Sequence, residues 1–384
     1  MKPIVDAVRG RTEAMLARIE ELVTINSYTR NKPGGDAVGS LLVQGAEALG
    51  LVVRRIPSEL YADHLVFSTK AAAQSAEGAT VLVGHHDTVF PAGSFEGFVR
   101  DGELVRGPGV LDMKGGLVVM LEALRALREA GLLDALPLRM IVVGDEEIGS
   151  PEGRGVIQRE AKGARAALVF EAGRAHDRVI TARKGTGSAK LVARGVAAHA
   201  ANDHDKGRNA IWALARFIDR AQRLTDYERG VTVNVGVVRG GHAKNTVPDH
   251  AECEIDFRFV HAVDGVATFE ALREAASEAS REVDGTTLEL GGGPNRMPLE
   301  RTPENLAVYE AYAACARAAG LGGEESALIA GGSDASSTAS IGVPSIDGLG
   351  PRGAGFHTKE ERVEIASLEP KVIALASYLA SSAR

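Results

Sequence analysis

Cysteine and aromatic residues are scarce in this chain, and each scarcity removes a class of function. Two cysteines, Cys253 and Cys315, stand far apart in 384 residues and outside any paired motif. They cannot build a zinc ribbon or a disulfide framework, and they read as reduced thiols of a cytoplasmic protein. Phenylalanine, tyrosine and tryptophan make up only 4% of the residues, which disfavours the stacking platforms of single-strand nucleic-acid binders. Basic blocks are missing and the formal net charge is −7, so the positive footprint that a nucleic-acid partner needs is absent too. No uninterrupted apolar run approaches ~18 residues, so no membrane-spanning segment is expected. The first residues run into a charged amphipathic pattern without the apolar centre of a secretion signal. Gly331-Gly332-Ser333-Asp334-Ala335 does not supply the Gly-x-Ser-x-Gly elbow of a serine hydrolase. Gly185-Thr186-Gly187 only brushes a phosphate-loop pattern, and at the wrong end of a strand.

What remains is an ordinary globular composition, 45% hydrophobic and 25% charged, long enough for one large or two medium domains. Apolar spacing predicts a helix over 5–25, a glycine- and proline-rich loop over 31–35, and a second helix over 38–49. Short β-rich runs follow at 51–53, 64–67 and 80–83, then a helix over 117–132 and strands over 138–143 and 166–170. From about residue 185 the order becomes β-α-β-β-α-β, with strands at 188–193, 231–238, 251–259 and 286–290 and helices at 209–223 and 266–282. That is the ferredoxin-like order, and Gly291-Gly292-Gly293-Pro294 closes it. The expected architecture is therefore α/β: a mixed-sheet α/β/α catalytic domain over 1–184 and 296–384, interrupted by an α+β dimerisation or lid domain over 185–295.

Five strings carry the chemistry. His85-His86-Asp87, Asp145-Glu146-Glu147 and Glu171 each end a predicted strand, the edge where open α/β sheets place their sites. Asp112 sits in a glycine-flanked turn at a helix start, and His357 in the glycine-rich segment 353–360. Alone, each has a bland explanation: a polar strand end, a helix cap, a charged loop, a loop histidine. Together they supply two histidines and three carboxylates for a pair of divalent ions, with one more carboxylate free as a base. Alternation along an extended chain points His85 and Asp87 the same way, so His85 reads as a ligand and Asp87 as the group orienting its ring. Asp112 can offer one oxygen to each ion. Adjacent acids repel, so Glu147 reads as a ligand and Glu146 as the general base.

The order and spacing of these strings resemble the two-zinc metallopeptidase family of glutamate carboxypeptidase, aminoacylase, acetylornithine deacetylase and succinyl-diaminopimelate desuccinylase, over essentially the whole chain. The resemblance implies Zn2+ as cofactor, two ions per subunit, with Co2+ or Mn2+ as alternatives. His85 and Glu171 would hold one ion, Glu147 and His357 the other, and Asp112 both, with a cis peptide bond after it. It also implies a homodimer formed through the inserted domain, in which His199 of one subunit reaches the other's site. Asn245, Arg258 and Arg296, with Gly332 and Ser333 of a glycine-rich loop, resemble positions that hold a substrate carboxylate, for which an arginine fork is well shaped. Alanines flank His199 where the family more often has serine and glycine. Glutamate at 171 is closer to the carboxypeptidase and deacylase branches than to the di- and tripeptidases. The expected activity is hydrolysis of an amide bond in a small peptide or N-acyl amino acid with a free carboxylate, in the manner of a glutamate carboxypeptidase. An N-acyl-amino-acid deacylase and a non-hydrolytic metal-bearing binding protein are the alternatives.

Overall fold

The computed structural model describes residues 2–381; Met1 and residues 382–384, at the outer limits of the expected catalytic domain, lie outside the described residues. The chain divides into two compact units. One takes in the described residues up to Ala182, then Arg301–Ile329, and those from Ser333 onward. The other comprises Arg183–Glu300 with Ala330–Gly332.

The first unit is built on a six-stranded mixed sheet in the order Val52–Ile56, His64–Ser68, Leu138–Val143, Thr80–His85, Ala166–Val169, Ser345–Ile346. Thr80–His85 pairs in parallel with Leu138–Val143 and Ala166–Val169, so all three deliver their next residues at one edge. These strands are buried along their whole length, which explains their unbroken apolar runs: each face of the sheet is covered. The helix Gly115–Glu129 contributes eleven buried residues, among them Leu117, Val118, Leu124 and Leu127. The second unit carries a four-stranded antiparallel sheet ordered Thr232–Gly240, His250–Phe259, Gly185–Arg194, Thr287–Arg296, with helices Ala210–Gln222 and Ala262–Glu282. This is the expected ferredoxin-like arrangement, with its own core around Leu191, Phe217, Phe257 and Leu272.

Three local expectations need correction. The predicted helix over 5–25 is two helices, Lys2–Val8 and Thr12–Val23, broken where Gly10 takes φ +79°. The predicted loop at 31–35 is the first turn of helix Lys32–Ala48: Pro33 lies in that turn and the Asn31 side chain accepts from Gly34 N. The glycine run does not close the small domain but continues strand Thr287–Arg296. A Cβ at Gly292 would lie 2.2 Å from Ser188 O, so close pairing excludes a side chain there.

Candidate metal centre

The edge shared by the three parallel strands gathers most of the expected donors. His85 closes its strand, while the Glu146–Ile148 turn follows Leu138–Val143 and Glu171 follows Ala166–Val169. Asp112 comes from the turn Val110–Lys114 ahead of helix Gly115–Glu129, and the Asp112–Met113 peptide is cis. Asp112 is not the cap of that helix, because its own φ and ψ, −119° and 90°, are non-helical and Lys114 occupies the cap. His357 lies in a loop between two short strands, Gly353–Ala354 and Arg362–Glu364, that pair with each other.

The distances tie these side chains into one cluster. His85 Nε2 is 3.2 Å from Asp112 Oδ1 and 3.9 Å from Glu171 Oε1. His357 Nε2 is 3.3 Å from Asp112 Oδ2 and 3.0 Å from Glu147 Oε2. Donor atoms of His85, Glu146 and Glu171 lie within 4.8 Å of one another, as do those of His85, Asp112 and Glu147. Glu146 thus stands as near to His85 and Glu171 as a ligand would. On the far side of the His85 ring, Nδ1 is 3.1 Å from Asp87 O and 3.3 Å from Asp87 Oδ1. Asp87 in turn accepts from Glu146 N at 3.1 Å and Glu147 N at 3.2 Å, so one buried carboxylate braces both the imidazole and the acidic turn. His86 faces away, with Nε2 3.1 Å from Asp63 O.

Electrostatics fit a cation-binding cluster. Burial alone would lower the His85 imidazole, but hydrogen bonding to Asp112, Asp87 and Glu171 carries it well above its ordinary value. Hydrogen bonds to Asp112 and Glu147 raise His357 to about 10. Burial, then the Asp112 charge, lifts Glu171 to about 7; burial also raises Glu147. Asp112 goes the other way: burial works against its charge, yet His357 and His85 hold it well below the carboxylate range. Without cations these buried acids rely on protonated histidines for balance, a role that divalent ions take over when the ligands bind them deprotonated. The donor set of imidazole nitrogens and carboxylate oxygens suits zinc.

The residues expected to hold substrate are divided between the units. His199 and Asn245 come together on a two-stranded ribbon of the second unit: His199 pairs with Thr246, and Ala200 N donates to Asn245 O. His199 Nδ1 accepts from Ala201 N and Asn202 N, each at 3.2 Å, which leaves Nε2 as the proton-bearing atom of the neutral ring. Arg296 lies against Gly332, where a Cβ would meet its Cδ at 2.8 Å. Arg258, on strand His250–Phe259, binds both oxygens of Asp256 through Nε and Nη2, each at 2.8 Å. Ser333, in the first unit, is buried and donates to Asp347 Oδ2 at 2.5 Å.

Sequence reasoning missed two supports. Thr29 Oγ1 donates to Asp87 Oδ2 at 2.7 Å across 58 residues, and nothing local to Thr29 announces it. Glu361, fully buried, accepts from Gly109, Leu111 and Asp112 N–H groups. Burial pushes its carboxyl up to about 7 against those donors. Its sequence context, Lys359-Glu360-Glu361, looks like a solvated charge run.

Histidines and carboxylates converging at the carboxyl edge of a mixed sheet, with one carboxylate facing a histidine on either side, make the donor set of a metal-dependent hydrolase. The chain belongs to peptidase family M20/M25/M40, which it matches over residues 81–381. It is 30% identical over 381 residues to carboxypeptidase G2 of Pseudomonas sp. (strain RS-16), covering 97% of this chain and 90% of that protein. It is 28% identical over 387 aligned positions to succinyl-diaminopimelate desuccinylase of Cupriavidus pinatubonensis (strain JMP 134 / LMG 1197), covering 93% and 96%. The fold is that of aminopeptidase PepT from Bacillus cereus ATCC 10987, with TM-score 0.82 over 97% of this chain and 99% of that one at 22% identity. The chain is accordingly a metal-dependent hydrolase of the metallopeptidase and amidohydrolase type. Among the described residues no helix is long and apolar enough to cross a membrane.

Proposed function

We propose that this protein is a two-zinc amide hydrolase that releases a carboxylate-bearing amino acid from a small peptide or N-acyl amino acid, most like a glutamate carboxypeptidase. The observation that carries the reading is the position of Asp112, with one oxygen toward His85 and the other toward His357. His85 with Glu171, and Glu147 with His357, are the terminal ligands, and Co2+ or Mn2+ are the metals expected to substitute. Bound zinc lowers the pKa of water and polarises a carbonyl. The remaining work falls to the chain. Asp87 holds His85 in the tautomer that leaves Nε2 free to ligate. Glu146, uncommitted to a metal, takes the proton of the attacking water and passes it to the leaving nitrogen. His199, supplied by the partner in a homodimer built through the inserted unit, donates from Nε2 to the oxyanion. Arg296 and Asn245 grip the substrate carboxylate. Both cysteines are free thiols, which supports a cytoplasmic setting.

A second reading, an N-acyl-amino-acid deacylase, is favoured by the desuccinylase relative aligned along nearly the whole chain. One experiment separates the two. Amino-acid release is followed from dipeptides and N-acyl amino acids ending in Glu, Asp, Ala, Lys or Leu, with metal-stripped and zinc-reloaded protein. Zinc-dependent release governed by the C-terminal residue supports the carboxypeptidase, whereas selection of one acyl group supports the deacylase. No release from any member with zinc bound rejects both for this substrate class.

A further inference from the structure

We propose that Glu361 is a positioning residue that locks the His357 loop to the Asp112 turn and so fixes the spacing between those two ligands. The inference rests on the two-zinc reading and deepens it. Glu361 is 0% exposed, and its carboxylate is shared among three backbone donors of one turn. Oε1 accepts from Leu111 N at 2.8 Å and Asp112 N at 2.9 Å, and Oε2 accepts from Gly109 N at 3.1 Å. The turn needs such an acceptor, because Gly109 is left-handed at φ +73° and Asp112 is non-helical, so neither the turn nor the following helix satisfies those N–H groups. A carboxylate is the suitable group: it only accepts, it has two oxygens, and its bonds to N–H are charge-assisted.

The same residue is covalently part of the histidine loop. Thr358 N and Oγ1 both donate to Gly355 O, at 3.0 and 2.7 Å, and Glu361 N donates to Thr358 O at 3.1 Å. Arg106 Nε, on strand Leu104–Arg106 that pairs with Arg362–Glu364, donates to Lys359 O at 3.0 Å. This folds residues 355–361 into a compact loop that carries His357 at one point and Glu361 four residues on. The 3.3 Å approach of His357 Nε2 to Asp112 Oδ2 is thereby set by a bond that touches neither side chain. Partners that hold a ligand rather than the metal typically matter by ~10–100-fold in metal affinity.

The test uses full-length protein and zinc alone. Glu361→Gln keeps the shape but faces an amide NH2 or a lone oxygen toward donors that expect two anionic oxygens. Wild type and variant are stripped, titrated with buffered free zinc, and assayed for bound metal by plasma mass spectrometry; melting temperatures of the stripped forms are compared. The expected result is that half-filling of the weaker ion needs ~10–100-fold more free zinc in the variant, while the stripped variant stays folded and melts only modestly below stripped wild type. Equal zinc binding overturns the proposal. So does a stripped variant that melts far below stripped wild type, because Glu361 would then only hold the fold. Wild type that takes up no zinc rejects the metal reading itself, and this inference with it. Should Glu361→Gln fail to fold, Glu361→Asp, which keeps both anionic oxygens but withdraws them by one methylene, is titrated in its place: weaker zinc binding by a stripped protein that melts near stripped wild type supports the lock, and unchanged zinc binding overturns it.

Discussion

Asp112 stands between two histidines and offers one oxygen to each, Oδ1 at 3.2 Å from His85 Nε2 and Oδ2 at 3.3 Å from His357 Nε2. His85 ends a central strand and His357 hangs on a loop 272 positions later in the chain, so only a carboxylate at their midpoint can serve both. If two zinc ions bind as proposed, Asp112→Asn weakens both together, because the amide keeps one oxygen and loses the charge that the two cations would share. Bound zinc counted after a mild chelator wash checks this. Loss of a single ion would show that Asp112 belongs to one site alone.

Glu146 lies within 4.8 Å of donor atoms of His85 and Glu171, whereas its neighbour Glu147 contacts His357. If Glu146 moves the proton, Glu146→Gln lowers kcat by ~10²–10⁴-fold with both ions retained. Metal content measured beside turnover separates a base from a ligand: a variant that loses zinc along with activity would make Glu146 a ligand.

His85, Glu146, Glu147 and Glu171 were readable because they sit where apolar strands end, and strand ends need only local pattern to be found. The glycines around Asp112 were legible for a related reason. A Cβ at Gly115 would lie 2.5 Å from Val110 O, and one at Gly116 2.4 Å from Phe170 O, so close backbone approach at the turn dictates residue type. Support from a distance left no such trace. Thr29 and Glu361 act through bonds that span 58 and about 250 positions, and neither has a neighbour of distinctive chemistry. Ser333 illustrates the converse: its glycine-rich context suggested a ligand loop, yet its hydroxyl is turned inward to Asp347. The break at Gly10 and the strand through Gly291–Gly293 were misread because a glycine marks either a stop or a close approach, and only pairing partners tell which.

His199 gives a test in which two inactive proteins restore each other. In a homodimer whose sites borrow the partner's His199, His199→Ala lowers kcat by ~10²–10³-fold, the usual cost of one oxyanion donor. Mixing and reassembling His199→Ala with Glu146→Gln subunits then rebuilds one sound site per mixed dimer, with Glu146 from one chain and His199 from the other. Activity of the mixture well above that of either parent supports the arrangement. Additive residual activity, or a monomer by light scattering, removes His199 from the partner's site.

Lys371 connects burial to pH. It lies on helix Leu368–Ser381, 2% exposed, with Nζ 3.6 Å from Asp177 Oδ1, while Arg352 Nη1 binds Asp177 Oδ2 at 2.5 Å. Burial lowers its ammonium from 10.5 to about 8, against the opposing pull of Asp177 and with a further push from Arg352. Between those two values the unfolded chain still holds a proton that the folded one has released, so this group makes stability rise with pH from about 8 to 10.5. Below that window the charged lysine is carried at a cost. Lys371→Met keeps the length of the stem, removes the charge, and leaves Asp177 paired with Arg352. The variant is expected to melt above wild type at pH 7.5, with the gap closing as pH climbs toward 10.5. Melting curves of both proteins across that range check the sign: a gap that widens with pH would mean that the folded state holds the Lys371 proton more tightly than the unfolded chain does.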